Sequence, residues 1–319
     1  MFGADDCRPL KARILHLLEK SPANAGVRRM VSISNLKTRI RISPNPPVFD
    51  LPILVALEHG LFAQAGLDVD YSVKYADHDK LERDVLKRQK EALFEQGAAE
   101  TFNVCEWGGI DRLERGAGRG KIAALRPAIA AQAIVSFDPK LQSPRDLAGV
   151  AIGINDFTGS HYTTIGLLEG AIGKDQIITT HVGAPEVRLQ ALKEGRVRAV
   201  TVMEPFISLA LKQGAHLIAL TFYRGAEIVS PDLGPLDIGT YFKVLDQAVD
   251  LINADFGKYA HYIVGIAKDQ IGPDELDGRF VRYTHAERYS PELFDPAYHW
   301  MKERGFTDGR NNHDTLVVS

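Results

Sequence analysis

Along the chain, the spacing of hydrophobic residues alternates between the period of a β-strand and that of an α-helix. Residues 38–43, "TRIRIS", alternate as a half-buried strand does, and "LPILVALEHG" from Leu51 has helical spacing that ends at Gly60. A second strand is predicted at about residues 67–75, after a turn at Gly66. This order of strand, loop, helix and strand is a βαβ unit, so the pattern predicts an α/β protein.

The same alternation continues through most of the chain. Further strands are predicted at residues 100–107, 122–130, 133–139, 150–154, 176–182, 197–203 and 215–221. Helices are predicted between them at residues 80–96, 108–116, 160–173, 184–195 and 205–214, and helical patterns dominate from residue 238 onward. Sheets of this kind are covered by helices on both faces, and they bind ligands where the carboxyl ends of strands meet helix N-termini.

The composition is that of an ordinary globular protein. The chain has 319 residues, of which 45% are hydrophobic and 25% charged, which argues against disorder, collagen and coiled coil. This length allows two compact lobes or one large domain. A net charge of −3 gives no reason to expect a nucleic acid or an anionic membrane as a partner. The two cysteines, Cys7 and Cys105, exclude a disulfide framework and a multi-cysteine zinc site.

The first thirty residues have the pattern of an extension. Residues 1–30 contain a short predicted helix at about residues 9–20, of mixed charge and without the continuous apolar stretch of a secretory signal. No apolar run approaches the ~20 residues that a membrane helix needs. We therefore expect the protein in the cytoplasm. The sequence leaves open whether residues 1–30 belong to the mature protein.

Four stretches of the chain together resemble a known group of proteins. "RISPNPPVFDLPILVALEHGLFAQAGLDVDY", "SPRDLAGVAIGI", "LQALKEGRVRAVTVMEPFISLALKQGAHLI" and "AYHWMKERGF" resemble the nitrate/sulfonate/taurine-type periplasmic solute-binding proteins and the thiamine-pyrimidine-synthase-like family. The resemblance covers about residues 38–310. It implies a two-lobed type II solute-binding-protein-like fold with a ligand cleft between the lobes. Lobe 1 would contain residues 31–135 and 226–319, and lobe 2 residues 136–225.

The resemblance extends to cytoplasmic enzymes, the aromatic sulfinate desulfinases. That family has an Arg-x-Gly-Gly motif where this chain reads "EWGG", residues 106–109, and its nucleophilic cysteine lies in the first loop, where this chain reads "SPNPPV". A carboxylate in place of a guanidinium reverses the charge that would meet a sulfinate. Desulfination is therefore not expected, and the cysteine-rich motif of the pyrimidine synthases is also missing.

Three adjacent candidate residues stand at the end of the predicted strand 100–107. Glu106 can accept hydrogen bonds from a ligand or act as a general base; its alternative role is to cap the following helix. Cys105 is either a nucleophile or a small buried apolar residue. Trp107 either stacks on a planar ligand or packs in the interior.

The first loop, "PNPPVFD", has a stiff backbone because it contains three prolines. The resemblance places this loop at the cleft, so Asn45 and Phe49 are expected to contact the ligand. The alternative is a rigid turn in which Phe49 anchors the core and Asp50 caps a helix that begins near Leu51.

The segment "NDFTGSHYTT", residues 155–164, turns from a predicted strand into a predicted helix. Unpaired N–H groups and the positive end of the helix dipole would face the cleft there, with Thr158, Gly159, Ser160 and His161 beside them. The alternative is ordinary capping by Thr158 or Ser160. The segment lacks a phosphate-loop fingerprint, so no nucleotide is implied. Glu204, after another strand, is a ligand carboxylate or a helix-start carboxylate.

These candidates support two hypotheses about function. In the first, a cytoplasmic solute-binding-protein-like protein binds a small polar, planar molecule, aromatic or heterocyclic, in the interlobe cleft, without a metal or cofactor. Its ligand-binding residues are Asn45, Phe49, Trp107, Thr158, Gly159, Ser160, His161 and Glu204. It would work with a transporter or a catabolic pathway. In the second, the protein is a cofactor-free lyase, decarboxylase or hydrolase in which Glu106 transfers a proton and Cys105 or His161 assists. The sequence identifies neither the ligand nor the oligomeric state.

Overall fold

The computed structural model describes residues 38–71, 89–116 and 119–318. The N-terminal extension, its predicted helix and most of the predicted helix 80–96 lie outside these residues. Within the described part of the chain, strands and helices alternate as far as Val229, and helices dominate the remainder. The α/β class predicted from the sequence is therefore confirmed.

Nine strands form one sheet in the described residues. They are β1 (Thr38–Ser43), β2 (Leu67–Asp70), β3 (Thr101–Cys105), β4 (Lys121–Ser136), β5 (Ala151–Ile154), β6 (Ile178–His181), β7 (Ala199–Val202), β8 (His216–Val229) and β9 (Val281–Tyr283). Their order is β2-β1-β3-β8-β4-β7-β5-β6, and β9 pairs with β4. The groups β2-β1-β3 and β7-β5-β6 are parallel, whereas β4 and β8 pair antiparallel with all their neighbours.

The strands β4 and β8 are much longer than the others and join the two parallel groups. β4 has 16 residues and β8 has 14. The C-terminal half of β8 pairs with β3, through partners such as Cys105 and Gly225, whereas the C-terminal end of β4 pairs with β7. β4 and β8 thus connect the two parallel groups within one sheet. The exact lobe boundaries, at residues 135 and 225, stay predictions.

The sequence interpretation was wrong about the lengths of these two strands, since it divided β4 and ended β8 at residue 221. β4 is continuous because Pro127, which has no N–H to donate, falls in a register shift between Leu125 and Ile129. β8 continues because Gly225 has no side chain. An added Cβ atom there would lie 2.2 Å from a carbonyl oxygen of β3. Both strands therefore continue through residues, Pro127 and Gly225, whose types are unfavourable inside a strand.

The α-helices in the described residues surround this sheet. They are α1 (Pro47–Glu58), α2 (Leu61–Gln64), α3 (Gln89–Glu95), α4 (Glu106–Arg115), α5 (Gly159–Leu168), α6 (Pro185–Lys193), α7 (Phe206–Lys212), α8 (Pro235–Ala254), α9 (Phe256–Val264), α10 (Pro291–Glu303) and α11 (His313–Leu316). None of these described helices combines the length and the apolar character that crossing a membrane requires.

Helix α1 begins at Pro47, earlier than the start predicted near Leu51. Proline is well tolerated in the first turn, because the N–H group that it lacks would have no partner in the helix. Asp50 lies in that first turn and does not cap the helix. Its carboxylate accepts a hydrogen bond from the backbone N–H of Asn45 at 2.6 Å, and so it closes the first loop.

Helix α4 begins at Glu106, directly after β3, whereas the sequence predicted a strand to residue 107 and a helix from residue 108. The residue that caps the helix is Cys105. Its Sγ accepts a hydrogen bond from the backbone N–H of Gly108 at 3.3 Å, in the position where a hydroxyl is more usual. Glu106 and Trp107 therefore belong to the first turn of a helix, and Glu106 is not the capping residue.

Candidate functional site

Three of the strand-to-helix connections meet at one aromatic side chain, Tyr223 in β8. The ring of Phe49, in α1, lies edge-on to the Tyr223 ring with 6.4 Å between centroids. The ring of Trp107, in α4, stacks on it at 5.8 Å. At the start of α5, the Tyr223 hydroxyl is so close to Gly159 that an added Cβ atom would lie 2.6 Å from it. The first turns of α1, α4 and α5 therefore converge on Tyr223.

The first loop is held in place by hydrogen bonds and by a buried cation. Asn45 Nδ2 donates to Asn103 Oδ1 at 2.6 Å. Phe49 is buried, and the guanidinium carbon of Arg126 lies 4.1 Å from the centroid of its ring. These contacts favour the interpretation in which Phe49 anchors the core. Ligand contact by Asn45 and Phe49 stays a prediction.

Glu106 is a titratable residue in the first turn of α4, beside Trp107. The hydroxyl of Tyr289 donates to Glu106 Oε2 at 3.2 Å. Burial raises the pKa of Glu106 to about 7, although the Tyr289 hydrogen bond and the charges of Arg126 and Arg224 act in the opposite direction. Near neutral pH the carboxyl group is therefore present in both protonation states, and it can accept or donate a hydrogen bond.

Cys105 and the two glycines that follow Trp107 serve the packing of α4. Cys105 is 5% exposed, and its Sγ is engaged in the helix cap. An added Cβ atom on Gly108 would lie 2.9 Å from that Sγ, and one on Gly109 would lie 3.3 Å from Ala226 in β8. The glycines therefore let α4 approach the sheet. A nucleophilic role for Cys105 stays a prediction, and the described residues contain no cluster of three or more metal-ligating side chains.

Trp107 belongs to an aromatic cluster that connects α4, α5 and α10. Its ring centroid lies 5.8 Å from that of Tyr162 and 6.0 Å from that of Trp300. Phe306 packs against Tyr162 at 5.1 Å and against Trp300 at 5.7 Å. Trp107 thus packs against its aromatic neighbours and is only partly buried.

The start of α5 is not capped by a side chain, contrary to the capping alternative. Thr158 is the N-cap residue, but its Oγ1 donates back to the carbonyl oxygen of Asn155 at 2.8 Å. Ser160 Oγ accepts from the backbone N–H of Asn155 at 3.0 Å. His161 is buried, and its Nδ1 accepts from the backbone N–H of Phe157 at 3.1 Å. The loop is therefore ordered by its own side chains, and the backbone N–H groups of His161 and Tyr162 donate to the carbonyl oxygen of Thr158.

Glu204 lies apart from the contacts around Tyr223. It is 1% exposed and accepts two hydrogen bonds from Ser208, from the backbone N–H at 3.2 Å and from Oγ at 2.6 Å. Burial raises its pKa to about 7, and the charge of Asp277 acts in the same direction. These contacts are those of a helix-start carboxylate at α7. Ligand contact by Glu204 stays a prediction.

The fold of the chain is also found in solved structures. No protein-family model matches the chain, and no curated protein matches it in sequence. The alkanesulfonate-binding protein SsuA from Xanthomonas axonopodis pv. citri, bound to MOPS, aligns with a TM-score of 0.68 at 15% identity, over 88% of this chain and 98% of that chain. A Candida albicans protein with the generic periplasmic binding protein fold aligns with a TM-score of 0.63 at 11% identity, over 88% and 96% of the two chains. This chain has the periplasmic-binding-protein fold.

A second kind of protein with the periplasmic-binding-protein fold is an enzyme. The desulfurization enzyme DszB aligns with a TM-score of 0.62 at 15% identity, over 88% of this chain and 95% of that chain. The resemblance to sulfonate-binding proteins and sulfinate desulfinases inferred from the sequence is thus confirmed for the fold. Identities this low transfer neither a ligand nor an activity.

Several residues that shape the candidate site were not predicted from the sequence. Arg126, Tyr223 and Arg224 lie within the apolar stretches "IAALRPAIA" and "ALTFYRGAEIV", and a charged residue inside an apolar strand is a signal that a partner or a site is near. Tyr289 and Trp300 carry no such local signal. They reach α4 only because the C-terminal helices fold back onto it.

Proposed function

We propose that the protein binds one small polar molecule with a planar ring, aromatic or heterocyclic, where α4 and α5 meet Tyr223. The observation that carries this proposal is the convergence of Trp107 and Gly159, from the two lobes, on that single ring. Aromatic side chains stack well on planar ligands, and Trp107 is only partly buried. A cleft lined mainly by rings with a few polar groups is the usual form of a small-molecule site.

The polar groups of this site differ at its two ends. The start of α5 offers backbone N–H donors, which suit a carbonyl or anionic group. At α4, Glu106 and Tyr289 can both accept and donate, which suits an N–H or hydroxyl group of the ligand. A molecule with an acceptor at one end and a donor at the other therefore matches the site in one orientation.

A protein that only binds its ligand would work with a partner protein. A transporter or an enzyme of a catabolic pathway would fill that role.

We also propose that the protein is located in the cytoplasm. Native cells would be fractionated, and an antibody against the chain should detect it in the cytoplasmic fraction. Recovery of the full-length chain outside the cytoplasm would overturn that placement.

A second candidate function is cofactor-free catalysis, and the environment of Glu106 favours it. A carboxyl group with a pKa of about 7 is well matched to general acid–base work at neutral pH. Tyr289 orients that carboxyl group and shares its proton through a hydrogen bond. The reaction would be that of a lyase, decarboxylase or hydrolase, with Glu106 moving the proton.

Binding can be tested directly on the native protein. Mass spectrometry of molecules that co-purify with it, followed by a thermal-shift screen of planar acids, amides and heterocycles, should identify compounds that raise the Tm in proportion to saturation. Both tryptophans of the chain, Trp107 and Trp300, lie at the site, so a true ligand should also change the intrinsic fluorescence. A broad panel without one compound that does both would contradict the proposal.

Replacing Glu106 with glutamine should separate binding from catalysis. If the protein is an enzyme, Glu106→Gln should keep the ligand affinity within about tenfold and lower product formation by about 10²–10⁴-fold, because glutamine cannot transfer the proton. If it only binds, neither wild type nor variant should form product. Glu194→Gln, which changes an exposed carboxylate paired with Arg196, is the control and should alter neither quantity.

A further inference from the structure

Two buried polar atoms of β4 have no hydrogen-bond partner among the described residues. They are Nη2 of Arg126 and Oε1 of Gln132. The two residues are 1% and 2% exposed. Buried polar atoms are nearly always hydrogen-bonded, because an atom left without a partner loses its bonds to water and gains none in return. The two atoms therefore mark one donor position and one acceptor position that a bound molecule can use.

Both side chains lie on the face of the sheet that carries Tyr223. Ala130 of β4 pairs with Tyr223 of β8, and Gln132 follows Ala130 by two residues, which puts it on the same face. An added Cβ atom on Gly225, two residues after Tyr223, would lie 2.5 Å from the guanidinium carbon of Arg126. Arg126 and Gln132 thus lie on opposite sides of Tyr223 along this face.

The guanidinium of Arg126 is held beside the rings of the candidate site. Its central carbon lies 4.1 Å from the ring centroid of Phe49 and 5.3 Å from that of Tyr223. Its Nε donates to the carbonyl oxygen of Ala128 at 3.1 Å, and its Nη1 donates to Asn103 Oδ1 at 3.3 Å. Because the guanidinium is planar, these two bonds also fix the position of Nη2.

Tyr223 fixes the orientation of the Gln132 amide. Burial raises the pKa of Tyr223, whereas the charge of Arg126 and hydrogen bonds from Arg126 and Gln132 act in the opposite direction. A hydrogen bond lowers the pKa of a phenol when the neighbour donates, because the bond then stabilises the charged form. Gln132 therefore presents its Nε2 to the Tyr223 hydroxyl, and its Oε1 is left as an acceptor for another group.

We propose that Gln132 and Arg126 bind the amide edge of a planar ligand, whose N–H group donates to Gln132 Oε1 and whose carbonyl oxygen accepts from Arg126 Nη2. A lactam ring, or a carboxamide on a ring, carries these two groups side by side in one plane. A carboxylate fits less well, because it has no N–H group and would place a negative oxygen against Gln132 Oε1. This inference rests on the proposed function and adds to it the chemical class of the ligand.

The N–H group can be tested with two rings of the same shape. 2-Pyridone has the lactam edge, and 2-pyranone has a ring oxygen in place of the N–H group. Each would be titrated into the native protein by calorimetry and by tryptophan fluorescence. Because a buried acceptor left without a partner weakens binding, the wild type should bind 2-pyridone at least about tenfold more tightly than 2-pyranone. Equal affinities, or tighter binding of 2-pyranone, would overturn the inference.

An amide and its acid distinguish an amide edge from an anion site. Benzamide carries an N–H donor beside its carbonyl oxygen, whereas benzoate carries two oxygens that share a negative charge. The wild type should bind benzamide at least about tenfold more tightly than benzoate, because Gln132 Oε1 has no donor to accept from in the acid. If benzoate binds as tightly as benzamide, or more tightly, Arg126 receives an anion and the inference is wrong.

Replacing Gln132 with methionine should remove the preference for the lactam. Gln132→Met should weaken binding of 2-pyridone by about tenfold and should not weaken binding of 2-pyranone, because methionine has a similar size but no amide oxygen. Equal losses for the two rings would show a merely structural role and overturn the inference. Gln190→Met, at an exposed side chain bonded to Glu194, is the control and should change neither affinity. If Gln132→Met fails to fold, the two wild-type comparisons decide the question.

Failure of this inference is distinguishable from failure of the proposed function. Binding of 2-pyridone and 2-pyranone alike, with a fluorescence change, would leave the small-molecule site in place and remove the amide edge from it. Absence of binding by all four probes and by every other planar compound would remove both.

Discussion

Replacing Gly159 with alanine should weaken ligand binding by at least about tenfold and lower the free energy of unfolding by about 1–3 kcal/mol. The added Cβ atom would lie 2.6 Å from the hydroxyl oxygen of Tyr223 and 2.8 Å from its Cζ, so the ring or the helix start has to move. Such a shift would also disturb the stacking of Trp107 on Tyr223. Calorimetric titration and urea unfolding measure the two effects.

The same helix supplies the control for this substitution. Gly166 is also in α5, but an added Cβ atom there would meet no atom within 4 Å. Gly166→Ala should therefore raise the free energy of unfolding, by up to about 1 kcal/mol, because alanine is the better helix former. Its ligand affinity should be that of the wild type. Similar losses in both variants would mean that helix propensity, and not contact with Tyr223, explains the result.

Replacing Glu204 with glutamine should make the protein more stable at pH 8 and leave its stability at pH 5 nearly unchanged. The pKa of Glu204 is raised from 4.5 to about 7 in the folded protein, mainly by burial. Between these two values the folded state holds a proton that the unfolded state has lost, so the free energy of unfolding falls as the pH rises through this window. The full cost of the buried charge, on the order of 3 kcal/mol, is present above pH 7.

Urea unfolding of wild type and Glu204→Gln at pH 5 and pH 8 checks this prediction. Glutamine resembles the protonated carboxyl group, so the stability difference between the proteins should appear only at the higher pH. Glu194→Gln, at an exposed carboxylate, should show no such pH-dependent gain. A Glu204→Gln variant that is equally destabilised at both pH values would contradict the assignment.

The helix boundaries show what local patterns can predict. The start of α5 after Thr158 was predicted closely, because the change from strand to helix period and the residues at the turn are local features. The starts of α1 and α4 were predicted too late. The prolines of the first loop suit an N-terminal turn as well as a loop, and a thiol is an unusual cap.

The candidate site was predicted in part. Trp107 and Gly159 both lie against Tyr223, since the carboxyl ends of parallel strands are where helix starts gather. Glu204 meets the same local description but has its hydrogen bonds with Ser208 in its own helix. A strand-end carboxylate looks the same in the sequence whether it faces a cleft or its own helix turn, because burial is a property of the packed fold.

By itself, the sequence determined the α/β class, the alternation of strands and helices and the turn at the start of α5, because hydrophobic period and turn chemistry act over a few neighbouring residues. Only the tertiary structure decided that α4 and α5 meet at Tyr223, that Arg188 is directed at Ser160, and that Tyr289 donates to Glu106 from 183 residues away. Such contacts depend on the order of strands in the sheet and on how β4 and β8 connect its two parallel groups. Many sequences with the same local periods would bring other residues together.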